Sequence, residues 1–296
     1  MQNYAASSCT KSAPTRASVE LTPLELLFEP EGLPTFDLPA EIARLYPGTF
    51  GYARDRVVSN FVSTVDGVVA IPTLASSNKL IAAGSSADRF VMGLLRATCD
   101  ALLIGSQTMR ASPRSVWSAE QAYPPAADML AELRTAAGFS GAPEIVILTR
   151  SGELDPAHPL WESGALVVTN DGGATTIGHA LSSATEVVSV GDTASVHPED
   201  IVALLRARGH RTILTEGGPN VFGAFVGAGL VDELFLTMSP ILAGRHPVDP
   251  RLSLIEGKLL TPPAPDEAAL LGVRRNGGHL FLRYGLNTAP GSQPSL

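Results

Sequence analysis

Four short stretches of this chain are apolar at most or all positions, Ala101-Leu102-Leu103-Ile104-Gly105, Ile145-Val146-Ile147-Leu148-Thr149, Ala165-Leu166-Val167-Val168-Thr169 and Glu186-Val187-Val188-Ser189-Val190, and a fifth strand candidate, Arg211-Thr212-Ile213-Leu214-Thr215, has an apolar centre. A strand with one wet face alternates apolar and polar residues. A run that is apolar on both faces belongs to a sheet covered on both sides, and that is the condition of parallel strands. The segments between them suit the covering layers. Ser85-Ser86-Ala87-Asp88 opens a helix whose Phe90, Val91, Leu94 and Leu95 recur at helical spacing, and another helix runs from about Pro198 to Arg208. Strand–helix alternation of this kind predicts an α/β fold with a mainly parallel central sheet between two helical layers.

The two ends read differently. Val57 to Ser63 is β-rich and stops at the turn signal Asp66-Gly67. Near the C-terminus Leu234 to Met238 is a strand, and Asn276-Gly277-Gly278 joins Leu270–Arg275 to His279–Tyr284 as a hairpin, giving the sheet an antiparallel edge. Residues 1–50 form an N-terminal extension: a flexible arm over 1–18, a helix start at Thr22-Pro23-Leu24-Glu25, and a short helix from about Leu38 to Tyr46 stopped by Pro47-Gly48. Residues 56–286 are the main domain and 287–296 a flexible tail. A long Pro- and Ala-rich insertion, 106–143, has the character of a lid.

Bulk chemistry narrows the function. With 21 Lys and Arg against 29 Asp and Glu, the net charge of −8 opposes a nucleic-acid footprint. The two cysteines, Cys9 and Cys99, form no Cys-x-x-Cys pair, and no two histidines have i, i+4 spacing, so no metal is expected. No apolar run has transmembrane length and the first 20 residues lack a signal-like stretch, which reads as a soluble cytoplasmic protein.

The junctions after the strands carry the chemistry. Glu216-Gly217-Gly218-Pro219-Asn220 leaves one strand and enters a helix. It is either a tight turn or a backbone cradle for a phosphate at a helix N-terminus, where proline fits the first turn. Gly105-Ser106-Gln107-Thr108 sits at a second such strand end, where open α/β sheets bind ligands. Thr149-Arg150 ends a third. Arg150 is either a solvated loop charge or a planar partner for the 2′-phosphate that distinguishes NADP from NAD. Neither Gly-x-Gly-x-x-Gly nor a P-loop follows the early strands. Trp117 lines a pocket or anchors its loop. Ser63 and Thr64 have no histidine–acid partner for acyl transfer.

Taken in order, Ser63-Thr64-Val65-Asp66-Gly67, Leu94-Leu95-Arg96-Ala97, Ile104-Gly105-Ser106-Gln107-Thr108, Glu216-Gly217-Gly218-Pro219 and Gly229-Leu230-Val231-Asp232-Glu233-Leu234 resemble the reductase domain of bacterial riboflavin-pathway enzymes, the RibD C-terminal domain, over about residues 56–286. The resemblance implies a dihydrofolate-reductase-like fold, an NADPH-dependent reductase of a small heterocyclic or phosphorylated substrate, and a homodimer whose interface the strand Leu234–Met238 and the C-terminal hairpin would supply. Gly105, Ser106, Gln107, Thr108, Thr149, Arg150, Glu216, Gly217, Gly218, Pro219 and Asn220 would hold NADPH. Asn60, Thr64, Arg96 and Arg114 would meet the substrate, and Asp66 would border the reacting atoms, with water or Asp66 giving the proton. Arg96 is otherwise a helix-end surface charge, and Asp66 otherwise a plain Asp-Gly turn. The chain departs from the family at two places: Asn60 stands where a lysine is usual, and Thr108-Met109-Arg110-Ala111-Ser112-Pro113-Arg114 replaces an Asp-Asp-Pro segment. Arg110 and Arg114 make that mouth more basic, which suits an anionic substrate. The zinc deaminase motif often fused to this reductase is absent. The same fold also admits a dihydrofolate reductase activity, or a non-catalytic nucleotide-binding dimerisation module.

Overall fold

The computed structural model describes residues 21–191, 195–260 and 267–286; the arm over 1–18 and the tail over 287–296 lie outside them. The elements follow in order: β1 (Glu25–Phe28), α1 (Ala40–Leu45), β2 (Val57–Thr64), α2 (Ser77–Ile81), α3 (Ser86–Ala97), β3 (Ala101–Gly105), α4 (Ser106–Ala111), α5 (Ala119–Ala122), α6 (Ala127–Ala136), β4 (Glu144–Leu148), α7 (Leu160–Ser163), β5 (Leu166–Thr169), α8 (Asp171–Ile177), β6 (Glu186–Ser189), α9 (Pro198–Ala207), β7 (Ile213–Thr215), α10 (Pro219–Gly227), β8 (Glu233–Ser239), β9 (Ala269–Asn276) and β10 (His279–Gly285).

Among the described residues ten strands form one sheet in the order β1-β9-β10-β8-β2-β7-β3-β4-β5-β6. Strands from β8 to β6 are parallel to their neighbours, and β1, β9, β10 and β8 pair antiparallel. The runs of β3, β4, β5 and β7 are buried on both sides, as their composition dictates, whereas β6 at the sheet edge keeps Glu186 and Ser189 exposed and Val187 and Val188 half-buried. One face packs Val58, Leu102, Ile147, Val167 and Leu214 against Phe90 and Leu94 of α3, Leu130 and Leu133 of α6, Trp161 of α7 and Ile177 of α8. The other packs Leu103, Val146, Val168 and Ile213 against Ile201 and Leu205 of α9 and Phe222 and Phe225 of α10. The handedness of crossovers explains this division. The chain steps outward from β2 through β3, β4, β5 and β6 with its helices on the first face. It returns through β7 to β8 with α9 and α10 on the second, because a right-handed connection that reverses direction must change faces.

Three expectations are corrected. Thr22-Pro23-Leu24-Glu25 starts no helix; Glu25–Phe28 is the edge strand β1, paired with β9 and tied to it by ion pairs Glu25–Arg275 and Glu29–Arg274. An isolated helical turn is costly to nucleate, and the open edge of β9 offers backbone partners instead. The insertion over 106–143 is no lid. Met109, Trp117, Tyr123, Leu130 and Leu133 are buried in the first-face core, and Arg134 donates to the carbonyls of Ala97 and Cys99. Trp117 anchors its loop, 2 % exposed and stacked on His158 at 5.7 Å. Finally, the strand Leu234–Met238 lies between β2 and β10, and the outer edge of the hairpin is covered by β1, so neither offers a free edge for dimerisation.

Candidate functional site

β3 and β7 are neighbours whose chains leave in opposite directions, β3 toward the first-face helices and β7 toward the second. Such a reversal opens a crevice at the carboxyl ends of the strands. Both glycine junctions identified in the sequence border it. A Cβ built on Gly105 would lie 3.7 Å from the Gly218 nitrogen, and one built on Gly218 would lie 3.3 Å from Thr108 Oγ1. The nearest side chain is Val221, 3.1 Å from the Gly105 position and 2.7 Å from the Gly217 position, so glycine at 105 and 217 makes room for Val221, while Gly218 looks onto Thr108. Gly218 is the N-cap of α10 with no side-chain cap, and Pro219 occupies the first turn. The first-turn N–H groups and the helix dipole therefore face this end, a geometry that suits an anion. Ser106 and Thr108 are half-buried on the facing wall, with Gln107 exposed beside them.

Beyond this core the expected residues divide. Arg150 lies exposed at the end of β4, next to β3 in the sheet, so its guanidinium is available to an anion outside the crevice. Thr149 is buried and its hydroxyl accepts from the Gly152 N–H, which commits it to its own turn. Arg114 is exposed on the loop before α5, and Arg110 donates to the Glu153 carbonyl.

Arg96 is neither a surface charge nor free for a substrate. It is 5 % exposed and grips Glu216 with two arms, Nη2 to Oε2 at 2.6 Å and Nε to Oε1 at 3.1 Å, while Nη1 donates to the Ser118 carbonyl. Asn60 Nδ2 donates to the same Glu216 carboxylate at 3.4 Å. Asn60, Arg96 and Glu216 thus form one buried polar joint beneath the glycine pair. Glu216, next to Gly217 in the chain, is thereby tied to α3 and β2.

Asp66 is held by three donors: the Thr64 hydroxyl at 2.6 Å and the N–H groups of Ala243 and Gly244 at 3.1 and 2.7 Å. These bonds, the Thr64 hydroxyl first, bring its carboxyl down to about 2. At neutral pH Asp66 carries no proton to give, so proton donation by Asp66 does not fit. Its visible work, with Thr64 Oγ1 accepting from the Val68 N–H, is to pin the β2 turn to the loop after β8.

Sequence reasoning missed Asp88. It lies in the first turn of α3, 5 % exposed, facing Thr237 on β8. Burial pushes it up to about 6, opposed first by Thr237 and reinforced by the field of Glu216. In sequence, Ser85-Ser86-Ala87-Asp88 reads as a helix start, and Ser85 does accept from the Asp88 N–H. That local role hid the side chain's long-range one.

A family model described as the RibD C-terminal domain matches residues 55–256, which span the whole crevice from β2 to the loop behind α10. The chain belongs to that family. The RibD C-terminal domain is a reductase of the pyrimidine type, so its members are oxidoreductases. No curated protein matches the chain. Solved structures share its fold. A pyrimidine reductase-like protein from Corynebacterium diphtheriae aligns with TM-score 0.61 and 22% identity over 79% of this chain and 93% of the other. The diaminohydroxyphosphoribosylaminopyrimidine deaminase/5-amino-6-(5-phosphoribosylamino)uracil reductase of Thermotoga maritima aligns with TM-score 0.58 and 20% identity over 79% of this chain and 57% of its own. The riboflavin biosynthesis reductase of Saccharomyces cerevisiae aligns with TM-score 0.51 and 14% identity over 81% and 93%. The dihydrofolate-reductase-like α/β architecture expected from the sequence is the one found.

Proposed function

We propose that this RibD-type domain is an NADPH-dependent reductase of a small heterocyclic substrate, similar to 5-amino-6-(5-phosphoribosylamino)uracil reductase. The observation that carries the reading is the switch point between β3 and β7, where Gly105 and Gly218 approach each other and the N-terminus of α10 has no side-chain cap. When bound, the nicotinamide supplies a hydride. The chain's own residues bind and orient. Backbone N–H groups of the Gly217–Asn220 junction would take the pyrophosphate, with Ser106 and Thr108 opposite. Arg150, about one strand spacing (~4.8 Å) further along the sheet, would take the 2′-phosphate. The Arg96–Glu216–Asn60 joint keeps that backbone in place, and preorganisation of this kind is what the protein contributes to a cofactor's chemistry. Since Asp66 is ionised, the proton that completes reduction of a C=N or C=O bond comes from water.

The test is calorimetric titration of the parent and Gly218→Asp with NADPH. Micromolar binding in the parent, lost when a carboxylate enters the crevice beside Thr108, supports the reading. Absence of binding in the parent refutes it. Tight binding with no turnover on any pyrimidine or pteridine would leave a non-catalytic nucleotide module. The homodimer belongs to the same proposal. With the edges of β8 and the hairpin occupied, it would rest on faces or loops, and a monomer by light scattering at micromolar concentration would exclude it. Among the described residues no helix is long and apolar enough to cross a membrane; we assign the protein to the cytoplasm, where biosynthetic reductases work.

A further inference from the structure

We propose that the antiparallel half of the sheet is a self-association face, on which two copies of this chain pack sheet against sheet. The contact is made by side chains of β8, β10, β9 and β1, not by strand edges. The inference rests on the homodimer of the preceding reading and names the surface that forms it.

The two faces of this half-sheet are covered unequally. On the first face Phe235 and Phe281 are buried in one core with Ile42, Leu45, Tyr46 and Phe50, and Arg274 and Arg283 are buried in ion pairs with Glu29 and Glu233. Leu234 turns to the second face, where it joins the core with Phe222 and Phe225 of α10. Residues directly opposed across antiparallel strands share a face. The register therefore carries that second face outward in three rows: Leu234–Tyr284–Leu270, Leu236–Leu282–Val273–Phe28 and Met238–Leu280–Arg275–Glu25. Leu236 and Tyr284 touch the margin of the α9–α10 core. Met238, Leu280, Leu282, Val273, Phe28 and Leu270 belong to no hydrophobic core among the described residues. Leu270 is 37 % exposed and the others are half-buried.

An antiparallel sheet with one wet face places apolar residues inward and polar residues outward. Here the outward positions hold leucine, valine, methionine, tyrosine and phenylalanine, a composition that calls for a second cover. Three rows ~6.8 Å apart across four strands ~4.8 Å apart make a field of roughly 400 Å². That is about half of the ~800 Å² that each partner contributes to a standard interface, the share of an apolar centre inside a polar rim. A twisted sheet face is matched in shape by another sheet face about 10 Å away. A twofold contact lays a patch against itself, so the patch must complement itself in charge as well. The charges in the three rows are Glu25 and Arg275, half-exposed at one corner and paired through Arg275 Nε at 2.9 Å. Both signs are thus present and the field carries no net charge. Nothing in it selects a strongly acidic or basic partner, and an identical apolar field fits it.

Sedimentation of the full chain over a range of micromolar concentrations tests the face. The parent should sediment as a dimer. Leu282→Lys, in the middle row, sets a charge into the apolar centre of both copies and should weaken association roughly 100-fold or more. In the separated chain a lysine there lays its stem on the sheet and its head in water, so near-UV circular dichroism should stay that of a folded protein. Val273→Lys, its neighbour on β9, should act alike and decides the matter should Leu282→Lys fail to fold. Leu242→Lys, 76 % exposed on the loop after β8 and outside the three rows, should leave the dimer intact. A parent that is monomeric throughout overturns the homodimer and this face together. A dimer that survives Leu282→Lys and Val273→Lys overturns the face alone, and so does a dimer that Leu242→Lys dissolves equally well. Titration of the parent with NADPH decides the reductase reading separately.

Discussion

Removing Arg96 should cost the fold more than almost any other single substitution outside the apolar core. Its side chain is 6 % exposed and that of Glu216 is 9 % exposed, so truncation to alanine leaves a carboxylate out of water with only Asn60 Nδ2 at 3.4 Å to face it. Breaking a buried pair from one side costs about 3–5 kcal/mol, most of it the stranded partner. At roughly 2–4 °C per kcal/mol for a large domain, Arg96→Ala should melt about 6–20 °C lower. The loss belongs to the uncompensated charge rather than to the attraction. Arg96→Met combined with Glu216→Gln should therefore recover most of it, since a neutral pair of similar volume avoids both desolvation penalties. Urea denaturation of the parent, both single variants and the double variant closes the cycle. A loss below about 1 kcal/mol for Arg96→Ala would place the pair among solvent-screened bridges and refute the argument. A double variant as unstable as the single would show that packing, not charge, carries the effect.

Other substitutions test other parts. Arg150→Ala should weaken NADPH about 10- to 100-fold, the worth of a hydrogen bond to a charged group, and leave NADH unchanged; calorimetry with both nucleotides checks it, and equal losses would place Arg150 elsewhere. Gly152→Ala should cost roughly 2–4 kcal/mol, because Gly152 has φ +73° and a Cβ there would stand 2.2 Å from the Gly173 carbonyl oxygen. Denaturation midpoints measure that cost. Asp66 titrates near 2 in the fold against an ordinary 3.8, so its stabilising contribution is complete above about pH 4 and is lost as pH falls toward 2. Asp66→Asn should flatten that part of the stability–pH curve, and an unchanged acid limb would contradict the three-donor account. Cys99 is buried and its thiol is pushed up to about 12, so it should resist thiol reagents at pH 8 until the protein unfolds.

What the sequence disclosed and what it concealed separate by range. The apolar runs around Leu103, Ile147 and Val167 declare buried parallel strands because every position has the same requirement. Asn276-Gly277-Gly278 declares its hairpin because a tight turn needs those residues. The crevice was legible for the same local reason, glycines at Gly105 and Gly218 standing where strands end. The partners of the charged residues were not. Arg96 looks like an ordinary helix-end cation until Glu216, 120 positions away, closes on it. Asp88 fills a helix-start pattern and only the sheet brings it to Thr237. Glu25 to Phe28 contains nothing that forbids a helical turn, and becomes a strand because β9 arrives beside it.

That arrival is late. Glu25 meets Arg275 across 250 positions of chain. At a synthesis rate of about 5–20 residues per second, β1 leaves the ribosome roughly 12–50 s before its partner exists. Throughout that interval the exposed Leu26 and Leu27 are a strand segment with no sheet to join, open to chaperones or to another chain's β9. The same pairing that shields the finished edge makes β1, synthesised before every other described strand, the last of them secured.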